Sequence, residues 1–271
     1  MRRIDEELEI RIDGVASDKS QLRDRLVRQG FIPILVNDDL DSYLLVEGAV
    51  EAGCTVIECS CRRKDARNII PWIKREFPHV SVLGATLIDG IRIPSFLCNT
   101  RPHFISVEEM VNLGADGLVS FLQFRRETYL SHGERLIMIP GVGSYNEALE
   151  QLEMGADIVK LQGGMALDAT LIAAAATLTH GAFPILISSN VSLETIPGFI
   201  KSGAALIGTG FNIILKDEIG LGKPITTSLI AAAVTRMHSA VRQARRIYQK
   251  ELYDAVEVGE ENPLSRNGWI T

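Results

Sequence analysis

One feature narrows the folds open to this chain more than any other. A short apolar run, a stretch of helical length and often a glycine recur in that order along most of the sequence. The apolar runs are Ile32–Val36, Thr55–Cys59, Val80–Ala85, Gly117–Leu122, Leu136–Pro140, Ile158–Leu161, Pro184–Ser188 and Ala205–Gly208. They are continuous rather than alternating, the pattern of parallel strands covered on both faces. Between them lie helix-length segments such as Asp38–Glu51, Lys64–Phe77, Val107–Leu113, Tyr145–Met154, Ala166–Thr179 and Leu193–Lys201. Gly53, Gly114, Gly155 and Gly203 each fall just before a strand. A glycine there closes the preceding helix in the left-handed conformation that side chains disfavour. The unit repeats every ~25–45 residues, about the size of a βα element.

Eight such units predict an α/β fold, a closed (β/α)8 TIM barrel. The structural competitor is an open doubly wound sheet, but no G-x-G-x-x-G follows the first strand. The expected organisation is one domain over residues 1–271, with an N-terminal extension and a barrel core at about 31–215. Two parts fall outside the repeat. Ile88–Ile105 is a Pro- and Arg-containing stretch after the third strand. From Lys216 onward a long helix is expected at Thr226–Tyr253, then a polar tail, Glu257–Thr271.

With 46% hydrophobic and 23% charged residues, the 271-residue chain reads as an ordinary globular protein. Its net charge of −6 argues against a nucleic-acid partner. The locally basic Arg236–Arg246 stretch reads as a solvated helix face, with phosphate binding as the alternative. No apolar run reaches the roughly 18 residues that span a bilayer. Met1–Glu9 is charged and lacks a signal-peptide core. These features lead to the expectation of a cytoplasmic protein with no membrane partner. Cys54, Cys59 and Cys61 sit in one apolar stretch and Cys98 in a later loop. No pair or cluster has metal-ligand spacing; Cys59 and Cys61, two apart on one strand face, read as small buried hydrophobes, with a structural metal or disulfide as the alternative.

Barrel sites form at the C-terminal ends of the strands. The polar residues there are Asn37, Glu58, Ser60, Arg62, Thr86, Ser120, Lys160, Gln162, Ser188, Ser189, Asn190 and Thr209. Three break an apolar run with charge. Lys160 ends Ile158-Val159-Lys160-Leu161, where loss of hydration favours a neutral amine able to attack a ketone carbon. The plainer reading is a lysine that reaches a strand end or bridges a carboxylate. Glu58 ends Val56-Ile57-Glu58 and suits proton transfer, or simply pairs with Lys160 or Arg62. Arg62 lies four residues on, where a guanidinium can hold a carboxylate through two parallel hydrogen bonds, or be merely solvated.

These residues carry a resemblance. Ile32-Pro33-Ile34-Leu35-Val36, Val56-Ile57-Glu58-Cys59-Ser60-Cys61-Arg62, Gly84-Ala85-Thr86, Ile139-Pro140-Gly141 and Val159-Lys160-Leu161 follow in order at fitting spacing. The chain, over Phe31 to Leu215, resembles the 2-keto-3-deoxy-6-phosphogluconate / 4-hydroxy-2-oxoglutarate aldolases. The resemblance implies a class I lyase that cleaves a 4-hydroxy-2-keto acid to pyruvate and an aldehyde, with no metal and no other cofactor. It implies Lys160 as the Schiff-base lysine and Glu58 as general acid/base. Arg62 and Thr86 would bind the carboxylate of pyruvate. Ser120, Pro140, Gln162, Ser188, Ser189, Gly208 and Thr209 would complete the substrate site. It also implies a homotrimer.

The chain departs from the family pattern at several turns. Lys160-Leu161-Gln162-Gly163-Gly164 replaces the family's Lys-x-Phe-Pro-Ala, so Gln162 stands where an aromatic lid is usual. Ser188-Ser189-Asn190 and Gly208-Thr209-Gly210 replace the Gly-rich turns that cradle a phosphate. This leaves a phosphorylated substrate open. Ile88–Ile105 is longer than its counterpart, and Arg92, Arg101 or His103 would select the distal end of the substrate; a plain loop or an oligomer contact is the alternative. Two other functions stand beside the aldolase. One is a decarboxylase of oxaloacetate-type acids that uses the same imine. The other is a barrel kept as a non-catalytic binding or assembly subunit.

Overall fold

The computed structural model describes residues 19–178, 180–181 and 183–258. Most of the N-terminal extension and nearly all of the polar tail therefore lie outside the described residues. The strands are β1 (Phe31–Leu35), β2 (Val56–Ser60), β3 (Ser81–Leu87), β4 (Gly117–Ser120), β5 (Ile137–Ile139), β6 (Gly141–Val142), β7 (Val159–Leu161), β8 (Ile185–Ile187) and β9 (Leu206–Gly210). They form one parallel sheet in the order β5-β4-β3-β2-β1-β9-β8-β7-β6.

Pro140 alone separates β5 from β6, because its ring nitrogen has no hydrogen to give the ladder. Its carbonyl still accepts from Lys160 N at 2.9 Å, and Asp157 N donates to Met138 O at 3.0 Å. β5 and β6 are thus one interrupted strand, and the ring closes with eight positions. The expected TIM-type barrel is the observed fold.

Strand periodicity sorts the core into two shells. Ile32, Val56, Leu83, Ala85, Val119, Ile137, Ile139, Ile158, Leu186 and Leu206 form the inner cluster. Their neighbours Phe31, Ile57, Cys59, Val82, Leu118, Met138, Val159, Ile187 and Ile207 face the outer helices. Cys59 and Cys61 are free, buried and on this outer face.

The four glycines expected to end helices do so, with φ of 86° at Gly53, 95° at Gly114, 104° at Gly155 and 104° at Gly203. Three of these helices start on side-chain caps, and the one before Gly203 does not. Asp41 accepts from Tyr43 N and Leu44 N, and Ser106 and Ser144 each accept from the amide three residues on.

Four expectations need correction. Residues 19–29, read as part of a polar extension, form a helix whose Leu22 and Leu26 join the inner cluster at the N-terminal end of the barrel. Ile88–Ile105 is not all loop: Arg92–Thr100 is helical and carries the exposed Cys98. The C-terminal helix ends at Tyr248. Gln249 leaves the helical conformation (φ −133°, ψ 56°) while its amide group donates to Ile200 O and Ala204 O at 2.9 and 3.0 Å. A second helix, Lys250–Val258, follows. Finally, Arg245 is not on a solvated face: it is 3% exposed. No helix among the described residues is long and apolar enough to cross a membrane.

Candidate active site

β2 alternates Val56 in, Ile57 out, Glu58 in, Cys59 out. β7 places Lys160 on the inner side, two residues after the inward Ile158. In the ring, β2 and β7 are diametrically opposed, with three strand positions between them either way round. Glu58 and Lys160 therefore reach toward each other across the barrel, and Lys160 Nζ lies 3.5 Å from Glu58 Oε1. Glu58 is 2% and Lys160 8% exposed. The separation satisfies an ion pair but exceeds the ~2.7–2.9 Å of a tight charge-assisted hydrogen bond. Glu58 Oε2 is buried with no hydrogen-bond partner among the described residues. Two ions inside an apolar barrel each lose hydration worth several kcal/mol, and a well-packed apolar pair serves stability as well or better. Their placement points to chemistry rather than to stability.

A second cluster sits above Glu58 at the C-terminal ends of β2 and β3. Ser60 Oγ donates to Thr86 Oγ1 at 2.9 Å and accepts from Arg62 N at 3.2 Å. Cys61 Sγ donates to Thr86 O at 3.2 Å. Thr86 has φ of 59°, at a register shift between β3 and β4. A β-branched residue in the left-handed region is strained, and such strain collects at functional sites. Thr86 and Arg62 both line a cavity of about 380 Å³, together with Lys64, Asp38, Arg101 and His103. Its charged lining is mostly cationic and suits an anion. Lys160 and Glu58 are not part of that lining.

The remaining expected residues are distributed as follows. Ser120 is fully buried, and its hydroxyl donates to Leu87 O at 3.0 Å and accepts from Leu122 N at 3.2 Å, so it pins the β3–β4 junction. Pro140 is buried in the fifth strand position and accepts from the Lys160 amide. Gln162 is half-buried, directly after β7, with its amide donating to Val142 O at 2.8 Å. Ser188 and Ser189 are half-buried after β8, and Asn190 turns the chain with φ of 54°. Gly208 is inward, 3.3 Å from Ile34 Cδ1 by its absent Cβ. Thr209 is 4% exposed and by alternation shares the outward side of Ile207. Of the three basic residues proposed for the long segment, Arg101 and His103 reach the Arg62–Thr86 cavity, whereas Arg92 is not in its lining.

Sequence reasoning assigned no role to two residues that shape the site. Ser60 couples Arg62 to Thr86, and its inward position two residues after Glu58 was the available signal. Arg63, next to the expected Arg62, is 2% exposed. It holds Asp65 at 2.7 and 2.9 Å and fastens the turn after β1 by donating to the carbonyls of Asn37 and Leu40. Burial works against the charge of both partners. The Arg63 and Ser42 hydrogen bonds outweigh it at Asp65 and hold that carboxyl below its ordinary range, and Arg63 is correspondingly raised.

No protein-family model and no curated protein matches the chain in sequence. Solved structures do match in shape. A 2-keto-3-deoxy-6-phosphogluconate aldolase from Zymomonas mobilis superposes with a TM-score of 0.59 at 18% identity, covering 80% of this chain and 95% of that one. A KDPG aldolase from Legionella pneumophila, with pyruvate captured as a covalent carbinolamine, gives 0.55 at 21% identity over 78% and 96%. A thiamine phosphate pyrophosphorylase from Pyrococcus furiosus gives 0.57 at 15% identity over 82% and 98%. Proteins of different activity match about equally well, so these likenesses show the fold.

Proposed function

We propose that this chain is a class I aldolase of the 2-keto-3-deoxy-6-phosphogluconate / 4-hydroxy-2-oxoglutarate kind, forming pyruvate through a Schiff base on Lys160. The observation that carries this reading is the Lys160–Glu58 pair, two ionisable groups 3.5 Å apart and buried across the inside of the barrel. The aldolases among the similar folds support it.

The chemistry then runs as follows. Unprotonated Lys160 Nζ attacks C2 of the 4-hydroxy-2-keto acid, and the carbinolamine loses water to give a protonated imine. Glu58 carries protons for both steps. Its carboxylate next takes the proton of the C4 hydroxyl, directly or through a water. The C3–C4 bond breaks, an aldehyde leaves, and the bonding pair flows into the iminium to give an enamine. Protonation at C3 and hydrolysis release pyruvate and restore the free amine. Arg62 and the Thr86 hydroxyl hold the carboxylate throughout, with Ser60 fixing their relative position. Arg101 and His103 line the same cavity as Arg62 and Thr86 and add positive charge on the carboxylate side. Across the ring, after β8, Ser188–Asn190 offers hydroxyl and amide groups to the distal end instead of bare glycine backbone. The same reading carries a homotrimer in the cytoplasm, which sedimentation of the purified chain checks for assembly.

A panel of 4-hydroxy-2-keto acids, with and without a terminal phosphate, tests the activity when pyruvate and aldehyde release are followed together. Equimolar release supports the aldolase. Turnover of oxaloacetate alone, with CO2 lost, makes the chain a decarboxylase. No turnover of any of these acids leaves a binding subunit.

A further inference from the structure

At the N-terminal end of the barrel, away from Lys160, a cavity of about 410 Å³ lies between the 19–29 helix and the two C-terminal helices. Arg25, Arg28, Arg242 and Arg245 line it, and among the described residues Glu257 is the one carboxylate in its lining. Glu257 is already held by Arg242. Arg25 donates only to neutral oxygens, His79 O at 3.0 Å and Ser81 Oγ at 2.9 Å. Arg28 reaches Val256 O at 3.3 Å.

Arg245 is the informative member. Its side chain is 3% exposed and donates to Ala205 O. Among the described residues its buried Nε has no partner, and no carboxylate lies within 4.0 Å of the guanidinium. The guanidinium is packed against Gly30, where an added Cβ would fall 2.7 Å from Cζ. Nearby His238 is occupied by Gln29 O and Cys54 Sγ, and burial keeps its imidazole toward the neutral form. Burial likewise pushes Arg245 down to about 10. The carbonyls at the C-terminus of helix Thr227–Tyr248 offset only a part of the charge. A buried guanidinium is otherwise strongly disfavoured unless a counter-charge meets it.

We propose that this cavity binds a phosphate-bearing small molecule, with Arg28, Arg242 and Arg245 gripping the phosphate and Tyr253 and Val241 lining its organic part. The four guanidinium charges less the Glu257 carboxylate leave three positive charges, more than a single carboxylate neutralises. A phosphate brings two negative charges, and its tetrahedral oxygens accept from several planar donor forks at once. The volume fits a small ligand.

The test uses the full chain, titrated calorimetrically with inorganic phosphate and with pyrophosphate at matched ionic strength. The site predicts a saturable event, tighter for pyrophosphate and separate from any binding at the barrel mouth. Arg28→Ala and Arg242→Ala, both at exposed side chains, should each weaken it about tenfold. Arg245→Met should abolish it, and Arg62→Ala at the opposite end should leave it unchanged. No saturable binding of either anion would overturn the proposal. So would binding lost in Arg62→Ala but kept in Arg28→Ala, which puts the anion at the barrel mouth. Binding seen only after Glu260→Gln/Glu261→Gln would also overturn it, by assigning the counter-charge to this chain's own carboxylates.

Discussion

Buried cations at the two ends of the barrel are not all answered alike. At the C-terminal end each one faces a carboxylate: Lys160 meets Glu58 at 3.5 Å, and Arg63 meets Asp65 at 2.7 Å. At the N-terminal end Arg245, as deeply buried as Arg63, has a single backbone carbonyl and an unpartnered Nε. Burial sets the same demand in all three places, so the difference lies in who answers it. Arg63–Asp65 is answered by tight, two-pronged geometry and serves architecture, since it ties the turn after β1 to the start of the Ala66–Glu76 helix. Lys160–Glu58 is answered loosely, with one carboxylate oxygen idle, which leaves room for a reacting carbon. Arg245 is not answered from within the described chain.

The sharpest way to separate these roles is to neutralise each carboxylate or cation in turn. Glu58→Gln keeps the shape of the site but cannot accept a proton. Turnover should fall by about 10²–10⁴-fold, with imine formation slowed but still detectable by trapping. Undiminished turnover would break the assignment of Glu58. Lys160→Met leaves Glu58 buried beside a thioether and should cost about 3–5 kcal/mol in urea unfolding. Lys160→Met/Glu58→Leu should recover most of that loss, because the desolvation of both ions goes with them. If the single variant is as stable as the parent, the pair is not buried as described.

Asp65→Asn should cost about 2–3 kcal/mol at neutral pH, from the orphaned Arg63 charge. Its pH dependence has a definite sign. The folded Asp65 carboxyl is held below its ordinary value of 3.8, so its stabilisation is complete above that value. It is lost as pH falls through the lower folded value, so parent and variant should converge in acid unfolding below about pH 4. A gap that stays constant with pH would contradict the ion pair. The smallest effect is expected at Arg245. Arg245→Met should change stability by less than about 1 kcal/mol in anion-free buffer, or raise it, as removal of an uncompensated buried charge allows. A loss as large as that of Asp65→Asn would show that Arg245 is structural.

Much of this contrast was legible in the sequence at the C-terminal end and little of it at the other. The apolar runs mark where strands lie, and Glu58 and Lys160 stand out because each breaks such a run with charge at a strand end. Glycines 53, 114, 155 and 203 marked helix ends because few other residues take a positive φ there. The 19–29 helix escaped because its apolar stripe is only Leu22, Leu26 and Val27 among charges, and what makes it a barrel plug is tertiary. Arg245 escaped for the same reason. Its burial depends on a helix folding back beneath β9, and a basic stretch alone looks like a solvated face. The Arg92–Thr100 helix was hidden by Pro94, which reads as a breaker but sits in the first turn, where no intrahelical donor is needed.

The direct measurement of the central claim is reduction with borohydride in the presence of pyruvate, followed by peptide mass analysis. The account predicts a stable pyruvate-derived adduct on Lys160, absent from Lys160→Met. Failure to trap any adduct at saturating pyruvate, or an adduct on another lysine that survives in Lys160→Met, would contradict it.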